Sequence, residues 1–126
     1  MAVKQREVYI LPFPDVLYSK EKDQEDHPFI VLSCDESNDN NDNTFIGVMI
    51  SGMKYKDDNS FELSDDMFDK PLAKPGCHVR MHLITLCIKK DILTKNPVNT
   101  MLERDFRFLM KNIGELIFNY KFSPAI

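Results

Sequence analysis

Residues 77–83 read Cys77-His78-Val79-Arg80-Met81-His82-Leu83. A strand's period of two sets His78, Arg80 and His82 on one face and Cys77, Val79, Met81 and Leu83 on the other, with same-face neighbours about 7 Å apart. The remaining histidine, His27, stands directly before Pro28. An imidazole is accessible in both protonation states near neutral pH. A fixed positive charge such as Arg80 favours its neutral form, which is the form a general base needs. The guanidinium presents a rigid fork of N–H donors matched to two phosphate oxygens. A base, an acid and an oxyanion clamp together permit cleavage of a ribose phosphodiester by its own 2'-hydroxyl, without a metal. The same alternation also describes a half-buried strand that turns polar side chains to water, and both readings stand on these residues alone.

The elements that must position this segment read as mainly β. Residues 8–13 form a strand pattern ended by Pro12 and Pro14, and residues 28–34 a second, β-branched and apolar. Residues 45–51 give a third strand broken by Gly52, and residues 60–63 a short fourth. The alternation of 77–83 fails at Leu83-Ile84, which predicts a bend or bulge before 85–88. Residues 15–26 are a charged loop. Residues 35–43, Asp-Glu-Ser-Asn-Asp-Asn-Asn-Asp-Asn, are a polar turn with nothing to anchor it in a core. After Asn96-Pro97, with Asn99 or Thr100 as cap, the residues Leu102, Phe106, Leu109, Ile113, Leu116, Ile117 and Tyr120 follow a 3.6-residue period. That predicts a helix over about 97–120, whose apolar stripe covers the open end of a barrel or forms a dimer seam.

At 126 residues the chain has room for one core, expected as a single domain with a barrel over about 6–92. No apolar run approaches the ~20 residues of a membrane span, and the start lacks a signal-peptide pattern, so a soluble, cytoplasmic protein without a membrane partner is expected. Cys34, Cys77 and Cys87 cannot pair completely and show no Cys-x-x-Cys spacing. Cys77 and His82 point to opposite faces of their strand, so no metal and no cofactor are expected. The net charge of −4 gives no overall pull on a polyanion, but Lys54, Lys56, Lys70, Lys74 and Arg80 gather near the proposed site.

Several segments, in order, resemble the MazF/PemK family of toxin endoribonucleases. Arg6-Glu7-Val8-Tyr9-Ile10-Leu11-Pro12-Phe13-Pro14 is similar to the family's first strand. His27-Pro28-Phe29-Ile30-Val31-Leu32-Ser33 is similar to its Arg-Pro strand, Ile50-Ser51 to the Thr or Ser after its third strand, and Val79-Arg80-Met81-His82 to the Val-Arg-x-Asp segment of the PemK/Kid branch. The resemblance covers residues 6 to about 92. It implies an SH3-like small β-barrel of the MazF/PemK/CcdB type with a long C-terminal helix, acting as a homodimer against single-stranded RNA and held by an antitoxin.

Residue by residue, the resemblance makes Arg80 the catalytic arginine, with His82 in place of an acid–base aspartate. Ser51 becomes a hydroxyl near the scissile phosphate, and His27 replaces an arginine used in catalysis. His78, Lys54 and Lys56 are the expected substrate-binding residues. The alternative of another class is a non-catalytic member of the same fold, acting as a CcdB-like gyrase inhibitor or a partner- or RNA-binding module. The terminal Phe122-Ser123-Pro124-Ala125-Ile126 lacks the tryptophan of the gyrase-binding branch.

Overall fold

The computed structural model describes residues 1–12, 25–52 and 57–120. The expected loop at 15–26 therefore lies mostly outside the described residues, as do Lys54 and Lys56. Six strands form one antiparallel sheet: β1 (Glu7–Leu11), β2 (His27–Val31), β3 (Thr44–Ser51), β4 (Ser60–Glu62), β5 (His78–Ile88) and β6 (Asn99–Thr100). Their order is β4-β5-β3-β2-β1-β6. The two edges are tied together by the segments that follow them. Asp69 N–H donates to the Thr100 carbonyl at 3.0 Å and Leu102 N–H to the Met67 carbonyl at 2.8 Å, around a Phe68–Met101 bridge. The Asn99 side chain adds two bonds to the Lys70 backbone, at 3.0 and 2.9 Å. These bonds curl the sheet, because they join its first and last strands in space.

Alternation along the strands divides the apolar residues between the two faces. One face carries Val8, Ile30, Val48, Ile50, Phe61, Val79 and Met81, packed with Met101 and the helical residues Phe106, Leu109 and Ile113. The other carries Tyr9, Leu11, Phe29, Val31, Phe45, Met49 and Cys87. Gly47 lies on this second face because β2 and β5 approach too closely for a side chain. A Cβ there would meet Cys87 Sγ and the Ile30 carbonyl, both at 3.2 Å. Burial pushes the Cys87 thiol up to about 12, so it remains a neutral, apolar filler.

The expected break in residues 77–88 is present inside a single strand. β5 pairs with β3 from Ile88 to Ile84 and again at Val79 and His78, with the register shifted between Val48 and Ile50. On its other edge the same part of β5 pairs with β4, as Ser60–Arg80, Phe61–Val79 and Glu62–His78, so Val79 and His78 have partners on both sides.

Two expectations are corrected. Residues 35–43 are anchored: Asp35–Asn38 form a helical turn, α1, and Asn38 is buried. Its amide donates to the Val3 carbonyl at 3.2 Å and the Ser33 carbonyl at 2.9 Å, and its Oδ1 accepts from the Ser33 hydroxyl. A polar sequence thus enters the interior by satisfying its amide, which composition alone does not reveal. The C-terminal helix α2 spans Glu103–Asn112 and continues as a π-helical turn over Ile113–Phe118. It begins later than 97 because Asn99 and Thr100 are taken up by pairing with β1. Phe106, Leu109 and Ile113 of the predicted stripe are buried, whereas Leu116 and Tyr120 are 53% and 72% exposed. No described helix is long and apolar enough to cross a membrane.

Asn38→Ala removes the amide donors to the Val3 and Ser33 carbonyls and leaves the Ser33 hydroxyl only its bonds with the Ile46 backbone. It is expected to lower unfolding stability by about 1–3 kcal/mol, read as a lower denaturation midpoint with unchanged slope.

Candidate functional site

Three residues singled out from the sequence fall in one row across the sheet. β3 pairs Ser51 with His78 of β5. On its other edge β3 pairs Met49 with Phe29, Val48 with Ile30 and Gly47 with Val31 of β2. The ladder ends at Phe29–Met49; carried two residues further, the same register sets His27 across from Ser51. Directly opposed residues project to the same face with Cβ atoms about 5 Å apart, so His27 and His78 flank Ser51 from its two neighbouring strands. The row lies at the end of the face that carries Leu11, Phe29 and Met49.

His27 is half-buried, and its Nδ1 lies 2.6 Å from the Glu25 carbonyl. A carbonyl only accepts, so Nδ1 carries the proton and Nε2 is the basic nitrogen of the neutral ring. Ser51 is buried at the strand end. His78, expected on a substrate-facing surface, is instead only 5% exposed. Its Nε2 has no hydrogen-bond partner among the described residues. Burial pushes its pKa below the usual 6.5, and the neighbouring Arg80 charge acts in the same direction, against smaller contributions from the Gly76 carbonyl and Glu62. A neutral imidazole with a buried, unpaired nitrogen is a stability cost of about 1–3 kcal/mol.

Arg80 is positioned by β5 and by the turn before β4. Its Nη1 donates to Asp57 Oδ1 at 2.7 Å and to the Ser60 hydroxyl at 2.9 Å, and its Nη2 donates to Asp57 Oδ2 at 3.0 Å. The guanidinium fork expected to await a phosphate therefore holds a carboxylate in bidentate geometry. The hydrogen bond from Arg80 holds the Asp57 carboxyl below its ordinary range, with lesser help from the Asn59 backbone and from the Arg80 and His82 charges. His82 is exposed and close enough for its charge to act on Asp57. Asp57 was not reached from the sequence. Its signal was the turn Asp57-Asp58-Asn59 before β4, which gains meaning only once β4 is known to pair with the Arg80 strand.

The sequence-predicted residues thus form two adjoining groups. His27, Ser51 and His78 make the transverse row, while Arg80 and His82 gather around Asp57. On the opposite face of the sheet from the row, a cavity of about 410 Å³ is lined by Ile10, Pro28, Ile50, Leu72 and Cys77, with Glu25, Asp26, His27 and Lys74 at its polar margin.

The His78 shift has a pH signature with a definite sign. Its folded pKa lies below 6.5, so between the two values the unfolded chain binds more protons. The contribution is present above about 6.5 and is lost as pH falls through the folded value. Denaturation midpoints of the wild type and His78→Asn, compared from pH 7.5 to 5, are expected to show the wild type losing more stability on acidification. The comparison cancels the carboxylates common to both proteins.

No family model matches the chain, and no curated protein matches it. Solved structures do. A MazF crystal structure from Deinococcus radiodurans superimposes with a TM-score of 0.68 at 10% identity, covering 94% of this chain and 98% of that one. An endoribonuclease from a mycobacterial species gives 0.65 at 7% identity, covering 98% and 97%. A mycobacterial endoribonuclease solved in complex with its cognate antitoxin gives 0.64 at 8% identity, covering 97% and 98%. Across nearly its whole length, the chain has the fold of the MazF endoribonuclease structures.

Proposed function

We propose that the protein is a metal-independent endoribonuclease that cleaves single-stranded RNA, the toxin of a toxin–antitoxin pair, built as one MazF/PemK-like domain on an SH3-like barrel. The observation that carries this reading is the row His27–Ser51–His78 with Arg80 beside it. The MazF-type fold supports it, as does the sequence resemblance that marks His27, Ser51 and Arg80. His27, with Nε2 as its basic nitrogen, removes the 2'-hydroxyl proton, and the 2'-oxygen attacks phosphorus. Arg80 stabilises the charge on the phosphorane, and Ser51 donates to a phosphate oxygen. The leaving 5'-oxygen takes a proton from a second acid, for which exposed His82 is placed by the Arg80 group. The products are a 2',3'-cyclic phosphate and a 5'-hydroxyl, and DNA is excluded because deoxyribose lacks the nucleophile.

A cognate antitoxin, homodimeric assembly and a cytoplasmic location complete the reading. Phe108, Leu116 and Phe118, exposed along the C-terminal helix, supply apolar area for a second copy to cover.

A second reading is favoured by one observation: the Arg80 fork already holds Asp57. A non-catalytic member of the fold would keep that ion pair as structure and act by binding RNA or a protein, in the manner of a gyrase inhibitor.

The test is incubation of the purified protein, in EDTA, with mixed-sequence single-stranded RNA and its DNA counterpart, followed by determination of product ends. Cleavage of RNA alone with cyclic phosphate ends is expected. Arg80→Ala is expected to lower the rate about 10²–10³-fold, as lost oxyanion donors do, and His27→Ala about 10²–10⁴-fold. RNA bound but left intact by the folded protein would instead establish the binding module.

A further inference from the structure

The carboxylate of Asp57 meets Arg80 as a phosphate would. Both of its oxygens accept from the two ends of one guanidinium, at 2.7 and 3.0 Å. Planar bidentate recognition of this kind is shared by carboxylate and phosphate. The two partners differ in exposure, with the Arg80 side chain 12% exposed and Asp57 49% exposed. The cation is therefore held in the wall of the site, and the anion sits on the solvent side. Ser60 fixes the guanidinium from a second direction through Nη1 at 2.9 Å, so its placement does not depend on Asp57 alone. Among the described residues, the one other donor to the Asp57 carboxylate is the Asn59 backbone N–H, to Oδ1 at 3.0 Å. Rotation of one short, half-exposed side chain into water removes that carboxylate from the guanidinium.

The geometry points to Asp57 as a resident anion that occupies the phosphate position on Arg80, so that RNA binds by displacing it and its carboxylate sets the RNA affinity of the site. This rests on the reading of Arg80 as the phosphate clamp. It gives a physical role to the acidic balance of the chain, whose net charge is −4. A phosphate held by several contacts along a strand displaces the carboxylate, whereas a free phosphate ion competes with Asp57 through that one contact. The site thereby prefers polymeric RNA over small anions. A merely structural ion pair predicts the opposite response to mutation, because loss of Asp57 would then loosen Arg80 and weaken binding.

The experiment measures binding of a 2'-O-methyl single-stranded RNA, which cannot be cleaved, to the wild type, Asp57→Asn, Arg80→Ala and the double variant across a salt series. Asp58→Asn serves as a control for loss of one neighbouring negative charge. Asp57→Asn is expected to bind roughly fivefold more tightly, the factor that corresponds to the upper value for exposed ion pairs. Its salt dependence should be steeper by up to about 0.7 in logarithmic slope, one additional neutralised phosphate on a single strand. The gain should vanish in the Arg80→Ala background and be absent in Asp58→Asn. Weaker or unchanged binding by Asp57→Asn, or an equal gain in Asp58→Asn, overturns the proposal. If Arg80→Ala alone binds as the wild type does, the phosphate-clamp reading itself fails, and the two failures are told apart.

Discussion

The register of β3 is the constraint on which the site depends. β3 pairs with β2 on one edge and β5 on the other, so a single strand aligns the ends of both neighbours. A slip of one residue would turn Val48 and Ile50 out of their core and drive Met49 and Ser51 into it, which is why the alignment is strongly specified. Gly47 sharpens this. Its missing side chain lets Cys87 and the Ile30 backbone close to distances at which a Cβ would crowd both, at 3.2 Å. With β3 so placed, Ser51 stands opposite His78, and the β2 register brings His27 to its other side.

The shift in the β3–β5 pairing does a second job. An uninterrupted ladder would give Arg80 a partner on β3. The shift takes Arg80 out of the β3 ladder, while on the other edge of β5 stands β4, whose preceding turn delivers Asp57 and whose first residue, Ser60, faces Arg80. The charged group and the histidine row thus lie side by side on one strand: His78 is paired on both edges, to Ser51 and Glu62, and Arg80 on the β4 edge, to Ser60. Burial decides their chemistry. His78 is held neutral by desolvation and by the adjacent guanidinium, while the exposed Asp57 remains ionised because Arg80 donates to both of its oxygens.

Closure of the curled sheet supplies the rigidity behind both groups. The Phe68–Met101 bridge joins the two edge regions, and Met101, Phe106, Leu109 and Ile113 then cover one sheet face from the outset of the C-terminal helix. The helix starts at Glu103 because the backbone of residues 99–102 is already engaged in strand and bridge pairing. Its first turn carries Glu103 and Asp105, which suit the positive end of the helix dipole.

The chain's local chemistry was legible in advance. Period-two alternation located β1 to β5 and the break in β5, though not β6, and 3.6-residue periodicity found the helix with Phe106, Leu109 and Ile113 on its buried side. The same alternation set His78, Arg80 and His82 on one face. What alternation could not carry was depth: identical spacing leaves His78 buried and His82 exposed, because burial depends on which strands lie alongside. Composition likewise misjudged residues 35–43, since Asn38 is buried through hydrogen bonds to Val3 and Ser33, partners contributed by other segments. The pairing of Asp57 with Arg80 spans distant parts of the chain and needed the β4–β5 register before either residue could be placed against the other. Periodicity records each element's own faces and is therefore written in the sequence. Long-range register, which decides who stands opposite whom, is settled only when strands far apart in the chain hydrogen-bond and bury their faces together.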